Sequence, residues 1–210
     1  MKRSTIILLK VVTWIACLIP QALLVYGAVT PEGLGADPAA HIVHTTGYTA
    51  LVLITITLAI TPVRRLSPRL NWLIRFRRLL GVFAFYYATI HILGYLGTYV
   101  YFDWNRVIED LSKRRYIFAG AAAWLLMLPL ALTSTTWAIR KLGGKRWNML
   151  HKLIYVSAIC GVVHFWWQVK TGVLSPLPLT LIIGVLLLAR VVYAWMQRRK
   201  APVSRTAETL

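Results

Sequence analysis

Residues 79–101 read LLGVFAFYYATIHILGYLGTYVY, with no charge between Arg78 and Asp103 and one histidine, His91, in the middle. As a helix, a run of this length crosses the hydrocarbon core of a bilayer. His91 stands about 12 residues past its start, about 18 Å along the helix and near the midplane. An ionisable group at that depth is costly and marks a functional site by default. Five further apolar runs flank this one, at about 6–28, 44–63, 116–136, 151–168 and 177–196. The expected fold is therefore all-α: a polytopic six-helix membrane bundle forming one domain over residues 1–210.

Composition agrees. The chain has 210 residues, of which 58% are hydrophobic and 14% charged, and its mean hydropathy is +0.63. These values fit a helical membrane protein. A net charge of +18 raises the question of nucleic acid, but the placement of the charges answers it. The N-terminus, the loop 64–78 with six arginines, the segment 140–152 and the C-terminal part from Arg190 carry 19 of 24 Lys and Arg and one of six acids. The positive-inside rule puts that side, with both termini, in the cytoplasm. Met1-Lys2-Arg3 opens like a signal peptide, yet the apolar run continues to Ala28, too long for an ordinary signal core, so an uncleaved first span is expected. Lys10 can snorkel to the surface, and Pro20 is a candidate kink. Thr55, Thr57 and Thr61 suit interhelical packing in the second span. Cys17 and Cys160 lie in different apolar runs and read as packed small hydrophobes. The loop 102–115 is mixed in charge, and with 29–43 it offers an outward surface for a partner.

His164 lies in another apolar run, 13 residues past His151, at about the depth of His91. Two imidazoles facing each other from two helices can fill both axial positions of a haem iron. The competing readings are structural hydrogen bonding and a transporter whose buried histidines relay protons. Gly94 and Gly97 would let either a macrocycle or another helix approach. His151 is roughly 140° off the face of His164 on an ideal helix, so either the helix is irregular there or His151 points elsewhere. Thirteen or fourteen residues before His91 stand Arg78 and Arg77. Arginine does not ligate iron, but it pairs with a propionate or a flavin phosphate. His151, Arg77 and Arg78 are thus candidate cofactor residues on the inner side. His41 and His44 read as surface residues, and the tryptophans and tyrosines near span ends as an aromatic belt without chemistry.

A set of motifs appears in order: Gly33-Leu-Gly-Ala-Asp-Pro38, His44-Thr-Thr-Gly47, Thr61-Pro62, Arg77-Arg78-Leu-Leu-Gly81, His91, Leu132-Thr-Ser134, Lys141-Leu-Gly143, Trp147-x-x-Leu-His151 and His164. Over about residues 5–197 this resembles the MsrQ (YedZ) family, the haem-binding membrane subunits of periplasmic protein-methionine-sulfoxide reductase systems, within the ferric-reductase-like transmembrane superfamily. The resemblance implies an electron-transfer subunit of the bacterial inner membrane with no catalytic residue of its own. Its electrons would come from the quinone pool or a cytosolic flavin reductase. They would leave to a periplasmic molybdopterin-containing partner, in a heterodimer, that repairs oxidised proteins. It implies haem b, one or two per chain, with family ligands falling on His91, His151 and His164. It also implies an FMN, for which no signature in the sequence gives a location. The third span lacks the second histidine of the wider superfamily's two-haem pattern.

Overall fold

The computed structural model describes residues 2–30, 33–169 and 175–200. Pro31 and Glu32 of the first outward loop, Lys170 and the tail beyond Lys200 lie outside the described residues. Six helical stretches are long and apolar enough to cross a membrane, and the described residues contain no strand. The order is α1 (Arg3–Val29), α2 (Pro38–Leu66), a 3-10 segment (Pro68–Phe76), α3 (Arg77–Thr98), α4 (Trp104–Lys113), α5 (Arg115–Leu132), α6 (Thr136–Leu142), α7 (Gly144–Leu150), α8 (Leu153–Gln168) and α9 (Leu177–Lys200).

Local chemistry sets the boundaries. The Asp37 carboxylate accepts from the Ala40 N–H at 2.9 Å and Pro38 fills the first turn, so α2 starts there. At its other end Arg64 and Arg65 sit against the negative pole of the helix. Ser67, extended before Pro68, then stops the helix. Gly143, at φ +75, lets the chain leave α6, its N–H bonding the Ile139 carbonyl.

α2 is the central helix: half of its membrane-length window is buried, against 11% for α1 and α9. Leu51, Ile54 and Leu58 of α2 share one core with Leu80, Phe83, Ala84 and Tyr87 of α3, Met127 of α5, Ala158 of α8 and Ile183 of α9. The outward faces of α1, α8 and α9 carry exposed Leu, Ile, Val and Trp side chains, as a lipid-facing surface requires. The most extensive pairings are α2 with α3 and α5 with α8. Lys10 of α1 shares a cleft with Arg75 and Arg78, and the Arg65 guanidinium lies 3.6 Å over the Tyr193 ring of α9. α1 therefore meets the start of α3, and α9 the end of α2, at one basic end of the bundle.

Four expectations are refined. The mixed loop 102–115 contains a helix, α4, capped by Asp103 and pinned by Asp110, which accepts from the Tyr95 hydroxyl at 2.7 Å and pairs with Arg114 at 3.0 Å. It is reached through Tyr101 and Phe102, both left-handed at φ +51 and +57. Thr55 and Thr57 of α2 are buried in the bundle, with their hydroxyls bonded within the helix. Thr55 and Thr57 donate to the Leu51 and Leu53 carbonyls of their own helix. Gly94 serves helix packing: a Cβ there would stand 3.1 Å from Val43 of α2. Pro20 breaks the ladder of α1, and Tyr87, fully buried, inserts its hydroxyl into that turn. It accepts from the Gln21 N–H and donates to the Cys17 carbonyl. Cys17 is buried and Cys160 partly so, both as free thiols.

Candidate functional site

Toward the end of the bundle opposite the basic one, α2 and α3 bring His91 against α2, and α5 and α8 bring His164 against α5. His91 Nδ1 lies 2.8 Å from the Val43 carbonyl, and His164 Nδ1 lies 2.6 Å from the Tyr116 carbonyl. A carbonyl can only accept, so each Nδ1 carries the proton and each Nε2 keeps a lone pair. The two ring centroids are 5.8 Å apart with planes at 83°. That separation suits one metal atom between the rings, metal–imidazole bonds being about 2 Å.

Each ring lies against a glycine one turn beyond its acceptor carbonyl. A Cβ on Gly47 would stand 2.8 Å from His91 Nδ1, and one on Gly120 would stand 2.7 Å from His164 Nδ1. In both halves donor and acceptor are 48 residues apart. The sequence therefore carries one arrangement twice: a carbonyl, a glycine four residues on, and a histidine on the next long helix of the pair. Aromatic pairs close the surroundings. Phe85 stacks on Trp124, whose indole N–H donates to Thr89, while Tyr48 meets Phe165 edge-on. Among the described residues no group of three or more His, Cys, Asp or Glu converges on a metal position. Two neutral imidazoles brought together from two helices of an apolar bundle are a donor set that a haem iron takes, and His91 and His164 fit that group.

His151 stands apart, at the basic end. It occupies the break between α7 and α8, with ψ near zero, so the helix is irregular there. Its ring stacks on Trp147 at 3.7 Å, and its Nδ1 meets the Trp147 carbonyl at 3.1 Å. Trp147 is itself anchored by donating to the Thr133 carbonyl at 2.9 Å. It thus positions a candidate ligand, a role beyond an interfacial belt. His151 Nε2 is buried and unpartnered, as are Thr61 Oγ1, Arg64 Nε and Arg190 Nε. Arg190 reaches from α9 to the Leu58 carbonyl and lies 5.2 Å over the Tyr155 ring. The charge of Arg77 acts on both His151 and Arg190. Arg78 faces the other way, into the cleft beside α1. No described acid lies at this end, so the cluster suits an anionic group.

His41 and His44 are exposed, as expected, with His44 Nε2 3.5 Å from the Gln168 amide nitrogen. On α4 the Glu109 carboxylate, hydrogen-bonded to Lys113, raises that ammonium's pKa. Sequence reading gave no role at the site to Gly47, Gly120, Trp147 or Arg190, although Gly47 and Trp147 stand in the motifs above. The first two were detectable from the repeated spacing. Arg190 was detectable as a lone charge deep in an apolar run, where it had been counted only toward topology.

Comparison with known proteins agrees with this arrangement. Residues 40–162 match the family described as ferric reductase like transmembrane component. The chain is 45% identical, over 92% of its length and 88% of the relative's, to the protein-methionine-sulfoxide reductase heme-binding subunit MsrQ of Herminiimonas arsenicoxydans. It is 39% identical to the MsrQ subunit of Ralstonia nicotianae, over 96% of this chain and 93% of that one. The MsrQ subunit of Rhodospirillum rubrum is 42% identical over 90% of each chain.

Proposed function

The chain belongs to the MsrQ family of ferric-reductase-like membrane proteins, and from that premise we propose that it is an electron-transfer subunit holding haem b between His91 and His164. The observation that carries this reading is the duplicated geometry. Two imidazoles have their Nδ1 atoms committed to backbone carbonyls, retain their Nε2 lone pairs and lie 5.8 Å apart.

His91 and His164 would hold a haem, which when bound would supply a one-electron ferric/ferrous couple. The chain does the rest. The carbonyls of Val43 and Tyr116 hold each ring in one tautomer and one orientation. Gly47 and Gly120 leave the backbone low enough for the rings to lie where they do. Tyr48 and Phe165, next in sequence to Gly47 and His164, meet edge-on between α2 and α8. The reduction of methionine sulfoxide in proteins is then the work of a partner chain, as the name of the related subunits, heme-binding subunit of a protein-methionine-sulfoxide reductase, supports.

In this reading the basic end faces the cytoplasm of a bacterial inner membrane and receives electrons from a quinol or a flavin reductase. The opposite end, with α4 and the start of α2, faces a periplasmic molybdopterin-containing partner. His151 and Arg77 form a second cofactor position at the basic end, suited to an anionic group such as a propionate or the phosphate of FMN. The deciding experiment is a reduced-minus-oxidised optical spectrum of the purified chain with haem and flavin quantified per polypeptide. The expected result is a low-spin b-type spectrum that His91→Ala and His164→Ala each lose. Retention of that spectrum by both variants refutes the ligand assignment. A chain that takes up no haem under ample supply refutes the electron-transfer reading and leaves a histidine proton relay.

A further inference from the structure

At the basic end, on the far side of α3 from His151, a cleft of about 360 Å³ opens between α1 and α3 under the α5–α6 turn. Three cations from three elements converge on it: Lys10 of α1, Arg75 of the 3-10 segment and Arg78 of α3. None of the three is in an ion pair among the described residues, and no described acid lies at this end of the bundle. Below the cations the wall is apolar. Val11 and Trp14 come from α1, Leu79 and Val82 from α3, and Trp14 meets Phe83 edge-on at 5.7 Å.

We propose that this cleft binds one anionic phospholipid. Its phosphate sits among Lys10, Arg75 and Arg78, and an acyl chain lies along Val11, Leu79 and Val82 past Trp14. Depth supports this. Lys10 lies about 10 Å along α1 from Arg3, a level reached by snorkelling, where headgroup gives way to hydrocarbon. The order of the lining supports it too, since a cationic rim over an apolar floor matches an anion with a tail. A free phosphate or nucleotide would satisfy the rim and leave the floor uncovered. Packing gives the lipid a use: α1 is among the helices least buried by the protein, and a lipid wedged against α3 adds contacts that the chain does not provide. The proposal is independent of the haem assignment.

The test is native mass spectrometry of the full chain in detergent, delipidated and then titrated with phosphatidylglycerol or phosphatidylcholine, with thermal unfolding followed in parallel. Phosphatidylglycerol is expected to bind about tenfold or more tightly than phosphatidylcholine, and it alone raises the Tm of the unaltered chain. The double variant K10Q/R75Q weakens phosphatidylglycerol roughly 30-fold, the weight of two basic residues against an anionic lipid. K10R/R75K retains binding, and so does K145Q/R146Q, which removes the same charge from exposed positions on α7. Equal binding of the two lipids overturns the proposal, as does an undiminished K10Q/R75Q. Displacement of phosphatidylglycerol by inorganic phosphate or FMN overturns it as well, by assigning the cleft to a soluble phosphate. Should K10Q/R75Q fail to fold, the lipid-selective rise in Tm of the unaltered chain decides.

Discussion

Gly120→Ala is the sharpest perturbation of the imidazole pair, because it adds one methyl group and nothing else. The new Cβ would stand 2.7, 2.9 and 3.2 Å from Nδ1, Cε1 and Cγ of His164. Relaxed contact between such atoms is about 3.5 Å or more, so the ring has to retreat by roughly 0.5–0.8 Å. It cannot retreat freely, since its Nδ1 is held 2.6 Å from the Tyr116 carbonyl. Overpacking of this kind costs about 1–3 kcal/mol, and losing the ring's hydrogen bond adds about 1 kcal/mol. Against this stands a helix-propensity gain of about 1 kcal/mol for Gly→Ala. The net is about 1–3 kcal/mol against the ring position that holds the iron, or roughly 5- to 150-fold in haem affinity at 1.4 kcal/mol per decade. Haem retained per chain after dilution into haem-free detergent, with the midpoint potential, reads this directly. Gly81→Ala is the control, because nothing lies within 4 Å of its Cβ position. It is expected to hold haem as the unaltered chain does and to be slightly more stable. If Gly120→Ala keeps its haem and potential as Gly81→Ala does, the glycine cradle has no role and the reasoning fails.

Three further variants probe the frame around the pair. Tyr87→Phe removes the hydroxyl bridging Gln21 and Cys17 in the turn at Pro20 and leaves two backbone groups short of a partner. It is expected to cost about 2–4 kcal/mol in unfolding by denaturing detergent, and a loss under 0.5 kcal/mol argues that the turn closes on itself. Thr57→Val removes a hydroxyl bonded only within its own helix, so a change under about 1 kcal/mol is expected in the same assay, and a larger loss shows that the hydroxyl joins helices. Asp110→Asn weakens the attachment of α4 to Tyr95 and Arg114. Amide exchange in α4 is expected to quicken about 5- to 10-fold, for a half-exposed pair worth about 1 kcal/mol, with no change in the haem spectrum, and unchanged exchange means that apolar contacts hold α4.

The spans and the shared level of the two histidines were legible because lipid imposes a one-dimensional rule: a long apolar run has to be a helix that crosses. His151 was partly legible: its phase against His164 left either an irregular helix or a ring pointing elsewhere, and the helix does break at His151 and Lys152. What the apolar rule hides is the neighbour. Gly94 could have met a macrocycle or a helix, and the answer, Val43, lies on another span. In α4 the helical spacing of Trp104, Val107, Ile108 and Leu111 was present in the sequence, masked by interspersed charge that reads as loop. Gly47 and Gly120 were hidden because a glycine in a membrane helix has many uses, and only the ring lying against it singles one out.

The duplicated arrangement also governs how the chain can be divided. One half, from Val43 to His91, and the other, from Tyr116 to His164, do not interleave in sequence. Each is a continuous stretch that fixes its own imidazole before the other exists. The segment around α4 is the seam between them, and it supplies nothing to either ring. A gene cut at that seam yields two polypeptides, each carrying one prepared histidine. On the proposed ligation, an iron held by both histidines would join the two halves, in addition to the core that they share.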